Sequence, residues 1–302
     1  MPRRTPLTPE LGAAFRVGDA LSAGHSSSRL RGADLARPHR GVRMREPAPD
    51  VPPTLAAARG YAPLLRPGDR FSGPTAVALW GAPLPDEAGP LHVTAGAGLT
   101  RPRRHGIVGH EGPNAVPDWR GGLPVSPPAL AFLECASTLS LAQLVAVGDY
   151  LVLDPRVLDP LDVRPHIRLD SLRREMTDAT GRSIRLARAA AALVREGVES
   201  ARETALRLLT HELGLPEPTC GYLVHDRDGR AIGYFDLVWP DHRVIAEYDG
   251  DQHRSSRYQY DRDIRRFDRA SEAGYRVIRV RARGLGPDRL ETIERLRGAF
   301  AH

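Results

Sequence analysis

The chain contains no lysine. All 43 basic side chains among its 302 residues are arginines, against 37 acids, for a net charge of +6. A guanidinium is effectively always protonated, so chemistry that needs a neutral amine, such as a Schiff base or a lysine general base, is excluded. A P-loop is excluded with it, because that loop reaches its phosphates through a lysine. The missing lysines, with 29 Gly, 27 Pro and abundant Ala, match a GC-rich coding sequence. Cysteine is scarce too: Cys135 and Cys220 lie far apart without ligand spacing. They read as small buried residues of a reduced, cytoplasmic protein. Aromatic residues make up 6%, so the core must lean on Leu, Val and Ala. The sequence has no long apolar run of the kind that spans a membrane. The opening Met1-Pro2-Arg3-Arg4 leads into prolines, which argues against a signal peptide.

What is present is a globular composition, 41% hydrophobic and 26% charged, in a length that suggests about two domains. The charge is unevenly placed. Residues 1–45 carry nine arginines against Glu10, Asp19 and Asp34, whereas 198–302 carry 18 arginines and 18 acids. A basic head points to a polyanion, most simply DNA; a merely soluble, arginine-biased head is the plainer alternative. Residues 12–24 read as a helix ending at Gly24, and Ser26-Ser27-Ser28 can cap a second short helix over 29–35. The basic extended stretch 36–43 follows. Helix, turn, arginine-bearing helix and basic strand is the layout of a winged helix-turn-helix, with Arg29, Arg31, Arg37, Arg40 and Arg43 as candidate nucleic-acid contacts. The first unit is therefore expected to be mainly α over 1–55, closed by a proline-rich linker at 46–55.

Residues 56–165 read as a middle α+β domain, with short helices near 73–81 and 127–148 and strands at 91–94 and 106–108. The basic loop Arg101-Pro102-Arg103-Arg104-His105 lies between those strands. His92, His105 and His110 match no ligand spacing and read as solvated. A helical connector, 166–198, leads into the last domain, 199–302.

That last domain reads αβββαβα. A helix over 200–213 precedes strands at 221–225 and 231–239, which turn at Asp228-Gly229. A third strand, 243–249, a helix, 254–273, a strand, 275–280, and a closing helix, 286–299, complete it, with the fourth strand parallel after a crossover. A loop centred on Asp241-His242 puts Asp236 directly opposite Glu247, and Asp249, two residues on, shares their face. Like charges directly opposed are destabilising, so a cation between them is the natural reason to keep them. Oxygen ligands without His or Cys suit Mg²⁺ or Mn²⁺. Glu203 either completes this cluster or closes a capping box from Ser200. His253 reads either as part of the site or as a cap of the following helix. On that helix Asp261–Arg265 is an i,i+4 pair that needs no function to explain it.

Asp236-Leu-Val-Trp-Pro240, Glu247-Tyr-Asp249-Gly250, His253, Asp263-x-x-Arg266 and Gly274-Tyr-Arg-Val-Ile-Arg279, with Ser200-x-x-Glu203-Thr204 and Gly214-Leu-Pro-Glu-Pro218 ahead of them, together resemble the very-short-patch-repair-like endonuclease domain of the PD-(D/E)XK superfamily. The resemblance covers about residues 199–285. A fainter likeness to the winged-helix, AbiEi-type antitoxin family rests on Arg29-Leu30, Pro38-His-Arg-Gly-Val42 and Thr75-Ala-Val-Ala-Leu-Trp80-Gly81. The first resemblance implies a restriction-endonuclease-like fold with Asp236 and Glu247 as metal carboxylates, Glu203 as the helix-borne acid and His253 beside the scissile phosphate. Two departures stand out. The superfamily's lysine position is Asp249, and the repair enzyme's structural-zinc cysteines are absent.

The expected activity is Mg²⁺-dependent hydrolysis of DNA phosphodiester bonds. His253 is the remaining candidate for acid–base work and Arg266 the candidate to neutralise charge on the phosphate. The competing readings are a non-catalytic, antitoxin-like DNA-binding regulator with a relic nuclease domain, and an adaptor that binds only protein.

Overall fold

The computed structural model describes residues 6–85, 89–250 and 257–301, the side chains of 257–263 excepted. The chain divides into two compact units, Met1–Thr138 and Leu139–His302. Among the described residues no helix is long and apolar enough to cross a membrane.

The first unit is mixed α/β rather than mainly α. Its elements are β1 (Ala14–Arg16), α1 (Val17–Ser22), β2 (Leu35–Ala36), β3 (Val42–Arg45), α2 (Pro53–Tyr61), β4 (Arg70–Phe71), α3 (Gly73–Leu79), β5 (Leu91–Thr94), β6 (Ile107–His110), β7 (Asp118–Arg120), β8 (Leu123–Val125) and α4 (Pro128–Cys135). They form a three-stranded sheet, β1-β3-β2, and a five-stranded one, β6-β5-β4-β8-β7.

The helix expected over 12–24 begins only at Val17, because 14–16 are drawn into pairing with β3, Phe15 opposite Arg43. The second expected helix is one 3-10 turn, Arg29–Arg31, and Leu35 pairs with Arg45 instead. Among the described residues the head's cluster is small: Phe15, Ala20, Leu30 and Leu35, with Leu7, Leu11 and Val17 packed against it. So few apolar side chains cannot hold two full helices, which need tertiary packing at such lengths. The expected linker also ends early. Pro53 opens α2, a position where its fixed φ and missing N–H cost nothing. The ring of Tyr61, the last residue of α2, meets His39 of the β2–β3 hairpin edge to face, with centroids 5.2 Å apart. Head and middle are therefore parts of one unit.

His105 is exposed as expected, whereas His92 and His110 are not solvated. His92 is 9% exposed, and its ring stacks on His110 with His110 Nε2 3.0 Å from His92 Nδ1. Burial first, and the charge of His110 second, push the His92 pKa down to about 4. The folded state therefore holds His92 neutral while the unfolded chain takes up its proton near pH 6.5. Stability from this group is present above pH 6.5 and lost as pH falls toward 4. Urea denaturation of wild type against His92→Asn across pH 4–7 should show a shallower pH slope in the variant; equal slopes would rule out His92 as the source.

The second unit comprises α5 (Leu141–Val152), α6 (Leu169–Asp178), α7 (Ile184–Leu193), α8 (Ala201–Glu212), β9 (Thr219–His225), β10 (Ala231–Trp239), β11 (Val244–Tyr248), α9 (Arg257–Glu272), β12 (Arg276–Val280) and α10 (Arg289–Ala299). From α8 onward the order is αβββαβα, and the sheet runs β12-β11-β10-β9, antiparallel except for the β11–β12 pair. Leu206 and Leu209 of α8 and Leu296 of α10 pack with Leu237, Val244 and Ile278 in one core. Ala270 of α9 packs with Val224, Phe235 and Ile245 in a second. The sheet is thus covered on both faces.

The helices before α8 belong to this unit rather than forming a connector. One ion pair fixes α5 to α8: Arg207 and Asp149 are both almost wholly buried, at 2.8 Å. Asp149 also accepts from the Thr204 hydroxyl at 2.8 Å and from the Arg195 N–H at 2.7 Å. Asp149→Ala leaves a buried guanidinium without its counter-charge and is expected to cost about 3–5 kcal/mol of unfolding free energy. A loss below about 1 kcal/mol, the range of exposed pairs, would show that the bond is dispensable.

Candidate metal and nuclease site

The turn Pro240–His242 joins β10 to β11, with Arg243 at φ 53. It sets the register Trp239↔Val244, Val238↔Ile245 and Leu237↔Ala246. One step further along the same register, Asp236 faces Glu247. There the side chains take over from the backbone ladder. The Asp236 N–H donates to Glu247 Oε2 at 3.0 Å, and the Tyr248 N–H donates to Asp236 Oδ2 at 2.7 Å. Each carboxylate satisfies a backbone donor of the opposite strand.

Both acids are withdrawn from solvent. Burial first, then the charges of Glu247 and Glu203, push the Asp236 carboxyl well above the usual carboxylate range; the Tyr248 N–H and Arg266 oppose the shift. Glu203, in the first turn of α8, donates its N–H to Ser200 Oγ at 3.2 Å and accepts from the Glu199 N–H at 2.8 Å. It is therefore a capping residue, and it also lies within the electrostatic reach of the pair. Burial first, and the charges of Glu199 and Glu247 after the opposing hydrogen bonds, raise its pKa.

The cation that the structure places here is Arg266. Its Nη2 donates to Glu247 Oε1 and its Nη1 to the Tyr234 carbonyl. Its guanidinium lies over Phe235 at 4.6 Å and Phe267 at 5.0 Å. Gly233 makes this crossing possible: at φ +155, a Cβ there would sit 2.9 Å from Arg266 Cδ. Arg266 was expected to face a phosphate, and its alignment with Glu247 has no short-range sequence signal. Asp249 was expected to share the face of the pair. Its carboxylate accepts from Arg279, the register partner of Glu247 on β12, at 2.9 Å and from Arg281 at 3.2 Å. The Asp249 N–H continues the parallel pairing to the Val280 carbonyl at 2.8 Å. His253 lies outside the described residues, as does the side chain of Asp263.

Among the described residues, no three His, Cys, Asp or Glu side chains converge closely enough to hold a metal ion. The two carboxylates nonetheless suit Mg²⁺, which is commonly bound by one or two carboxylates plus substrate phosphates and waters, without an all-protein cage.

The five head arginines divide in two. Arg29 is tied to Asp34 by two bonds, at 3.2 and 2.7 Å, and Arg43 donates to the carbonyls of Leu30 and Val42. Arg31, Arg37 and Arg40 are exposed, with Arg37 donating weakly to the Arg31 carbonyl at 3.4 Å.

No family model matches the chain, and no solved structure matches it. It is similar to two uncharacterized proteins, MT2308 and Rv2248, from two strains of Mycobacterium tuberculosis. Each is 32% identical over 82 residues, which is 27% of this chain and 30% of the relative. The match thus spans less than a third of either relative's length.

If Asp236 is held against its own electrostatics, Asp236→Asn should stabilise the metal-free protein. The amide keeps an acceptor for the Tyr248 N–H and removes the like-charge term, a change of about 0.5–2 kcal/mol. The gain should grow as pH rises, because an acid with a raised folded pKa destabilises the fold progressively above its unfolded value. A lower Tm for Asp236→Asn at pH 8 would contradict this.

Proposed function

We propose that the second unit is a metal-dependent endonuclease that hydrolyses DNA phosphodiester bonds, with a restriction-endonuclease-like arrangement of its αβββαβα elements. The observation that carries this reading is half-buried Asp236 facing buried Glu247, with Glu203 adding to their negative field. Structural economy would replace such a pair, since like charges directly opposed destabilise a sheet. Asp236 and Glu247 would hold Mg²⁺ or Mn²⁺, and the bound ion would polarise the phosphate and lower the pKa of a water. Glu203 would tune that field from the start of α8. Arg266 holds the Glu247 carboxylate in place through one oxygen, leaving the other on the Asp236 N–H. With Asp249 at the usual lysine position and no lysine anywhere in the chain, no lysine can take the proton of the attacking water, and His253 is the side chain that would carry it.

For the first unit we propose a winged-helix-like DNA-binding head. The sheet order β1-β3-β2, with α1 and the turn Arg29–Arg31 between β1 and β2, supports it. So do Arg37 and Arg40, exposed at the β2–β3 hairpin. The free thiols Cys135 and Cys220 support action in the reducing cytoplasm.

A second reading has its own observation. Arg266 on Glu247, and Arg279 and Arg281 on Asp249, already supply cations to two of the acids. A relic domain in a non-catalytic, antitoxin-like regulator would be stabilised in this way. The deciding assay is nicking or cleavage of plasmid, linear and single-stranded DNA with Mg²⁺ and with Mn²⁺. The nuclease reading expects metal-dependent products that fall by roughly 100-fold or more in Asp236→Ala, the scale of losing several kcal/mol of transition-state stabilisation. Equal, metal-independent backgrounds for both proteins would favour the regulator.

A further inference from the structure

A second concentration of charge lies in the first unit, away from the head arginines considered so far. A groove of about 990 Å³ is lined by Arg16 at the end of β1, Tyr61, Arg66 and the loop Arg101, Arg103 and Arg104, with Asp19 as its acid. Two of these arginines are partly committed. Arg66 pairs with Asp69 at 2.9 Å and donates to the Thr100 carbonyl at 2.8 Å, and Arg16 donates through Nε to the Pro63 carbonyl. Arg101, Arg103 and Arg104 are exposed, and among the described residues no acid or carbonyl partner engages their guanidinium groups. Their field reaches inward. Beyond the effect of burial, Arg104 lowers the pKa of His39 and Arg101 that of His110.

The loop is held in place while its charges are left free. An ideal Cβ on Gly109 of β6 would sit 2.0 Å from the Pro102 carbonyl oxygen, so the loop backbone lies directly against the strand and only glycine fits there. Arg66 fixes the other flank through Thr100. On its far side the same arginine ridge borders a second hollow of about 510 Å³, with His105, Ile107 and Gly109. Repulsion among uncompensated cations gathered on one loop costs stability, and a pre-positioned cluster of guanidinium groups suits a ligand that carries several negative charges.

We propose that this groove binds the phosphodiester backbone of a nucleic acid, with Arg101, Arg103 and Arg104 contacting successive phosphates and Arg16 and Arg66 closing the opposite wall. The proposal deepens the DNA-binding reading of the first unit but is independent of cleavage by the second. Binding and cutting are therefore read separately.

The test uses the full chain, without divalent metal, and fluorescence anisotropy of labelled 20-mers: duplex DNA, single-stranded DNA and RNA of the same sequence, over a series of salt concentrations. Wild type is expected to bind at least one of them with affinity that falls steeply with salt. The triple variant R101A/R103A/R104A should bind at least about tenfold more weakly at fixed salt. Its slope of log affinity against log salt should be shallower by about 2–3, from roughly 0.7–0.9 per phosphate neutralised. R101K/R103K/R104K should retain binding, and Gly109→Ala, which keeps every charge but displaces the loop, should weaken it. The exposed arginines have no folded partners to lose, and circular dichroism and Tm check that the variants fold. No binding by wild type, or a triple variant within twofold and with an unchanged salt slope, overturns the proposal. So does charge-dependent binding that is found only with phosphatidylserine vesicles.

Discussion

Two carboxylates that face each other across an antiparallel pair create a demand that their surroundings must answer. Around Asp236 and Glu247 the answer is distributed. The strands stop exchanging backbone hydrogen bonds and let the carboxylates accept the N–H groups of Asp236 and Tyr248 instead. From α9, Arg266 reaches back over Phe235 to Glu247, across a position where only Gly233 leaves room. Even so, the balance stays negative, with Glu203 adding its charge from α8 and Asp236 driven toward its protonated form. A proton on Asp236 would relieve that repulsion. A divalent ion that displaced the proton would gain both the carboxylate and the release of that repulsion.

The absence of lysine gives this protein a particular internal chemistry. Arginine presents five donors in a planar fork, and much of that capacity is spent on fixing structure. Arg43 staples β3 to the 29–31 turn, Arg188 ties α7 to the carbonyls of Met176, Thr177 and Ala179, and Arg276 reaches the Gly298 carbonyl. Arg70 and Arg207 are almost wholly buried, each with a carboxylate partner. A lysine could supply the charge at these sites but not the parallel bonds. Counting arginines along the chain therefore overstates the charge available to a polyanion. The first 45 residues hold the surplus by sequence, yet Arg29 and Arg43 are internally engaged.

How much of this was legible in the sequence depended on how local the determining physics is. The strand pairing in the second unit was legible because a short turn fixes register, and register fixes which side chains oppose each other; Asp236 facing Glu247 follows from the position of Asp241-His242. The order αβββαβα was legible for the same reason, through turns and helix stops such as Gly274. The head was not. Phe15 and Leu35 carry helix-compatible patterns, and only long-range pairing with 42–45 makes them strand. Pro53 is ambiguous in sequence because proline marks both a linker and a helix start. The Arg207–Asp149 pair, Arg266 on Glu247 and the stacked His92–His110 rings join residues 58, 19 and 18 apart in chain number, and nothing in a single sequence ties those positions together.

The distinction between engaged and disengaged arginines also bears on where binding and chemistry lie. In the second unit the arginines near the acidic site, Arg266, Arg279 and Arg281, are all paired with carboxylates, so they balance charge locally and leave little for a phosphate until those acids take a metal. Metal binding would change that. On the proposed nuclease reading, a divalent ion on Glu247 would weaken the hold on Arg266 and leave part of its guanidinium for a phosphate. In the first unit Arg101, Arg103 and Arg104 need no such release, since their loop is held by Gly109 and Thr100 with its charges already exposed. Nucleic-acid affinity from the first unit should therefore be independent of metal, whereas any affinity contributed by the second should appear only with it.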